Sequence, residues 1–171
     1  MNSALDTLAA ETGLAAPSHE SLRLAFGHRC ALRIEHLLEQ AAVRTCLDQL
    51  GLYLRGEIEA AALKQAQQEA DRLANRHPGS MSIDGCGHAA VSASYAVAHA
   101  LNGRALQAAG YAAYAKVYAD GGYAAVAEQE SFEPEFSWQV ATLRTLAAAA
   151  EGSETGRTAA RLPEVGVGNA A

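Results

Sequence analysis

The sequence predicts an all-α fold, a single-domain bundle of about seven alanine-rich helices. Half of the 171 residues are hydrophobic, yet mean hydropathy is only -0.05, because much of the apolar share is alanine, the strongest helix former. Apolar residues recur at helical spacing along most of the chain. Val, Ile and Thr never alternate over a strand length, so no sheet is expected. A chain of this length can bury a real core in one domain.

Residues 1–17 hold a short helical stretch at Ala4–Glu11, then Gly13 and Pro17, and read as a weakly held arm. The helical domain spans 18–150. Ser18 is placed to cap a long helix from His19 to Gln40, with Phe26, Cys30, Ile34, Leu37 and Ala41 inward and Arg29, Arg33, His36 and Gln40 on the wet face. After a bend comes Ala42–Tyr53. Gly56 opens the next helix, to Asn75, with Ile58, Ala62, Ala66 and Leu73 inward and Arg55–Glu59 and Gln68–Arg72 spaced for pairing. His77–Gly85 is a loop. Two helices follow, Gly87–Leu101 and Arg104–Ala119, stopped by Asn102-Gly103 and Asp120-Gly121-Gly122. A short helix covers Tyr123–Gln129. The last starts at Glu133-Pro134 and runs to Ala150, burying Phe136, Val140, Leu143 and Ala147. Residues 151–171, polar and without periodicity, read as a disordered tail.

A net charge of -6 argues against a nucleic-acid-binding face and suits a basic protein partner. Cys30, Cys46 and Cys86 lack paired spacing, so a reducing, cytoplasmic compartment is expected, and no segment reads as a signal peptide. No membrane span is expected, since His88, Ser92, Ser94 and His99 interrupt the best apolar run.

The chemistry-bearing residues concentrate in two stripes. His88, Ser92, Tyr95 and His99 fall within a sector of roughly 60° on a helix otherwise built from small apolar residues. Such a stripe is either a hydrogen-bond ladder between close-packed helices or the wall of a pocket whose histidines transfer protons. As an enzyme, the chain would draw its catalytic residues from His88, His99, Tyr95 and Cys86, the cysteine acting as a helix-N-terminal nucleophile. No metal site is expected, because three helical turns, about 16 Å, separate the two histidines. No cofactor is expected either. The second stripe is Gln107, Tyr111, Tyr114 and Tyr118, which suits an interface or a wet pocket wall. Ser92, Tyr111 and Tyr114 are the ligand-binding candidates. If the two helices form an antiparallel hairpin, both stripes face one cleft. Gly85-Cys86-Gly87-His88-Ala89-Ala90 matches a dinucleotide fingerprint, but no strand precedes it. The acidic run Glu128, Glu130, Glu133 and Glu135 reads as a solvated helix start.

The order of short motifs carries a family likeness. Phe26 and Cys30 come early in a long helix, then Tyr53-Leu54-Arg55-Gly56-Glu57, Gly87-His88-Ala89-Ala90, His99-Ala100, a Tyr-Ala-x-x-Ala helix, and Trp138-Gln139 with Leu143. Over residues 22–146 this resembles the bacterial immunity-protein family of the "immunity-five-like" type. Phe26 stands where that family usually has tryptophan, and only Arg44 remains of its Arg-Pro-Arg-like element. The resemblance implies an all-helical domain that neutralises a cognate toxin. It assigns no chemistry to Gly87, His88 or His99. The leading expectation is a small binding protein that occludes a toxin by protein–protein contact. The alternative is a small helical enzyme, or a ligand-binding accessory protein of a biosynthetic pathway, with a His/Tyr-lined pocket for a small molecule.

Overall fold

The computed structural model describes residues 2–79 and 86–159. Among these the chain forms seven α-helices with three short 3-10 turns and no strand, the all-α bundle that composition and periodicity predict. The helices are α1 (Ser3–Glu11), α2 (Glu20–Arg33), α3 (Ala41–Leu54), α4 (Ala60–Asn75), α5 (Cys86–Leu101), α6 (Ala105–Ala127) and α7 (Glu133–Ala159). Among the described residues no helix is long and apolar enough to cross a membrane.

Helix α5 is the centre of the bundle, packed against α2, α3, α4 and α6. Its Ala89, Ala90, Ala93, Ala96, Val97, Ala98, Ala100 and Leu101 are all buried. Small side chains let neighbouring helix axes come close, and α2 uses this most. A Cβ on Gly27 would lie 3.0 Å from the Ala100 Cα. Around this seam Phe26, Cys30, Ile34, Leu47, Leu50 and Leu143 are fully buried and form the bulky part of the core. Cys30 and Cys46 are free thiols, and burial pushes both toward the protonated form, most strongly at Cys30, where Glu135 adds to the effect.

Several local expectations change. The arm at 1–17 is packed: Leu5, Leu8 and Ala9 of α1 are buried, and α1 lies against α7. The Asn2 side chain fixes it, accepting from the Leu5 amide and donating to the Phe136 carbonyl at 3.1 Å. Ser18 does not cap α2. It lies inside a 3-10 turn, Pro17–His19, and α2 starts at Glu20 without a side-chain cap. That helix stops at Arg33 instead of reaching Gln40, and a 3-10 turn, Glu35–Leu37, replaces its last part. Arg44 holds the turn by donating to the Leu38 carbonyl at 3.0 Å and the Glu35 carbonyl at 3.4 Å.

Gly56 closes α3 and does not open α4. Its φ of 73° lets the Gly56 and Glu57 amides reach back to the Tyr53 and Leu52 carbonyls, a helix stop that only glycine makes without strain. Consequently Arg55 pairs with Glu57 and Arg72 with Glu69, in place of the partners four residues away. The inward face of α4 shifts to Leu63, Ala66, Ala70 and Ala74. Helix α7 continues to Ala159, past the expected boundary at Glu151. Residues 160–171 lie outside the described residues, as do 80–85 of the expected loop.

Candidate functional site

The hairpin of α5 and α6 is set by the Asn102-Gly103 stop. Gly103 takes φ 65°, and the Arg104 amide returns to the His99 carbonyl at 2.9 Å. The chain reverses, and α6 runs back along α5 with Ala105, Ala108, Ala109, Ala112 and Ala115 buried. Alanine fills the inner face, so the large side chains of α6 are left on the outer one. That antiparallel register brings the two polar stripes together.

They meet as rings in contact. Tyr111 stacks on Tyr95 and on His99, with centroids 5.2 and 5.1 Å apart and planes inclined by 22° and 17°. Further along, His88 stacks on Tyr118 at 5.4 Å. Tyr114 extends this second group, lying 6.3 Å from Tyr118 and edge-on to Phe132 at 5.2 Å. Aromatic pairs at such separations are mutually attractive. Two groups of touching rings therefore line the hairpin as an aromatic and imidazole ladder, Tyr95, His99 and Tyr111 at one end and His88, Tyr114 and Tyr118 at the other.

Tyr123 completes it and was not among the sequence candidates. The Gly121-Gly122 stop does break the helix: Gly122 has φ 62° and ψ -151°, a conformation open only to glycine. The kink turns Tyr123 back so that its ring packs at steep angles against His88 and Tyr118, at 5.1 and 5.9 Å. The signal available in the sequence was the double glycine, which resets the helical phase of everything after it.

Stacked rings lie between the stripes, and several of them also meet solvent. Tyr111, Tyr114 and Tyr123 are 37%, 47% and 58% exposed, and His88 is exposed as well. Tyr95 is half-buried, and its hydroxyl donates to the Asn75 side-chain oxygen of α4 at 3.3 Å. Ser92 is half-buried on the same helix face, and Gln107 is exposed at the far end of the tyrosine stripe. Cys86 opens α5, but its side chain lies outside the described residues. Burial pushes the His99 pKa down, Arg104 adds to this, and Asp71 partly opposes it. Its surroundings therefore favour the neutral imidazole in the stack with Tyr111.

Chemically the ladder offers flat apolar area with hydroxyl tips. His88 and His99 belong to separate ring groups, and among the described residues no three His, Cys, Asp or Glu side chains are placed to hold a metal ion. Two grooves, of about 350 and 360 Å³, lie elsewhere, between α1 and α7 and between α1 and the start of α6. The acidic run divides. Glu128, Glu130 and Glu133 are exposed as expected, whereas Glu135 is only 3% exposed and pairs with Arg33, which the sequence placed on the wet face.

No protein-family model matches the chain, and no curated protein or solved structure matches it either.

Proposed function

We propose that the chain is a protein-binding domain whose contact surface is the aromatic ladder of the α5–α6 hairpin, and that its partner is a toxin it neutralises by occlusion. One observation carries the binding reading: Tyr111 is exposed in one ring group of the hairpin, and Tyr114 and Tyr123 are exposed in the other, where both pack on Tyr118. Tyrosine gives large, rigid contact area at low conformational cost and is enriched at interface centres. A contiguous exposed apolar patch on a small domain marks an interaction site more often than not. The nature of the partner rests on the resemblance to toxin-immunity proteins, and net charge -6 suits a basic target.

Rings stacked on one another, with three tyrosines exposed, favour contact with a surface over enclosure of a small substrate. The test is co-expression with a candidate toxin encoded beside this gene. Wild type is expected to restore growth and to bind the toxin, and the Tyr111→Ala/Tyr114→Ala/Tyr123→Ala variant is expected to do neither while melting as a folded helical protein. A Glu20→Ala/Lys64→Ala variant, altered away from the ladder, serves as the control. Full protection by the triple variant would remove the ladder from the mechanism.

A further inference from the structure

The ladder is not uniform along its length. At one end, Tyr95, His99 and Tyr111 lie between Asp71 and Asn75 of α4 and Arg104 at the start of α6, a mixed neighbourhood. At the other, Tyr114, Tyr118 and Tyr123 are followed directly by the acidic turn Glu128–Phe132, which packs on α6 through the edge contact of Phe132 with Tyr114. Glu128 and Glu130 on this turn are exposed, and no described cation pairs with them. Lys116, the cation on this part of α6, is committed to Asp120. Exposed tyrosines and carboxylates that no described cation pairs therefore share one end of the hairpin.

We infer that this end of the ladder binds arginine side chains on a basic protein surface, a partner chemistry that rests on the protein-binding reading above. Arginine suits both features at once. Its flat guanidinium stacks on aromatic faces while its edge donates to carboxylates in pairs, which the compact ammonium of lysine does less well. The bundle already contains this combination: the Arg33 guanidinium lies 4.4 Å from the Trp138 ring centroid while its Nε donates to Glu135. There the arginine comes from the chain itself. At the exposed end of α6 the rings and the carboxylates are present, and no described guanidinium pairs with them.

Two labelled 12-residue peptides test this, one with four arginines in a Gly/Ser background and one with four lysines in the same places. Titrations followed by amide chemical shifts report affinity and location together. The arginine peptide is expected to bind about fivefold tighter than the lysine peptide, given the size of an exposed cation–π contact. The largest shifts are expected between Tyr114 and Phe132. Tyr114→Ser/Tyr123→Ser is expected to bring the arginine peptide down to the lysine level, and Glu128→Gln/Glu130→Gln to weaken both peptides. Melting curves of each variant establish that it is folded. Equal affinity for the two peptides, or unchanged selectivity in the tyrosine variant, overturns the inference. The two readings fail separately. Ladder variants that lose toxin binding, in a protein that does not prefer arginine, would leave the binding reading and remove this one.

Discussion

Arg33 and Glu135 stand 102 residues apart in the chain, and their side chains meet at 2.5 Å between α2 and α7. The carboxylate is almost wholly buried, and its second oxygen, Oε1, has no hydrogen-bond partner. Among the described residues Arg33 is thus the one neighbour that compensates this charge at hydrogen-bond range. Trp138, three residues on from Glu135 and so on the same side of α7, stacks beneath the guanidinium.

Removing the arginine alone strands the carboxylate. Arg33→Met is expected to cost about 2–3 kcal/mol, less than breaking a fully buried pair because Arg33 is partly exposed. The double variant Arg33→Met/Glu135→Leu is expected to return to within about 1 kcal/mol of wild type, since a buried pair is roughly replaceable by apolar packing. Urea denaturation of the three proteins checks both figures. A double variant as unstable as the single one would mean that the pair contributes more than mutual compensation.

The two stripes were legible in the sequence, because their signals are local. Periodicity put His88, Tyr95 and His99 on one face, and Asn102-Gly103 marked where α5 stops, whereas the reversal that sets them against Tyr111 and Tyr118 was only one possible packing. What was not legible depends on partners far away in the chain. A glutamate in the first turn of a helix reads as solvated, and only Arg33 arriving from α2 makes Glu135 a buried residue. Gly56 suits either side of a helix boundary, and its positive φ decides which. The arm looked too short to hold, since its anchor is the docking of Leu5, Leu8 and Asn2 against α7.

The close approach of Gly27 to Ala100 should be intolerant of one methyl group. Helix propensity alone favours Gly27→Ala by roughly 1 kcal/mol. Against this, the new Cβ would sit 3.0 Å from the Ala100 Cα and 3.1 Å from its Cβ, with no flexible side chain to give way. Separating α2 from α5 costs about 1–3 kcal/mol, so net destabilisation is expected. Adding Ala100→Gly should recover little, because the nearest atom is backbone. A thermal melt showing Gly27→Ala at or above wild type would show that the two helices slide apart freely.

Acid should loosen the bundle through its histidines. Burial holds His28 and His99 below their ordinary pKa of 6.5, helped by Arg29 and Arg55 at His28 and by Arg104 at His99. The unfolded chain therefore takes up these protons at a higher pH than the folded one. Stability from this source is complete above about pH 7, and it declines as pH falls through 6.5 toward the lowered folded-state values. Melting temperatures between pH 7.5 and 5 are expected to fall less in His28→Asn/His99→Asn than in wild type. Parallel curves would assign the acid sensitivity to the carboxylates instead.

The ladder and the core should separate stability from function. His99→Ala removes one stacked ring from a half-exposed site, and its pairing with Tyr111 is worth about 0.5–1.5 kcal/mol. Leu143→Ala, at a fully buried position, removes core packing worth about 2–5 kcal/mol. If the ladder is the contact surface, the ranking reverses for toxin binding. Tyr111→Ala should lower affinity by at least about 2 kcal/mol, roughly thirtyfold, as at an interface centre. Leu143→Ala should bind normally per folded molecule. Denaturation curves beside binding isotherms, corrected for folded fraction, measure both quantities on the same samples. Tyrosine variants that lose stability and binding in proportion would make the ladder a structural feature, because a docking surface loses affinity without losing the fold.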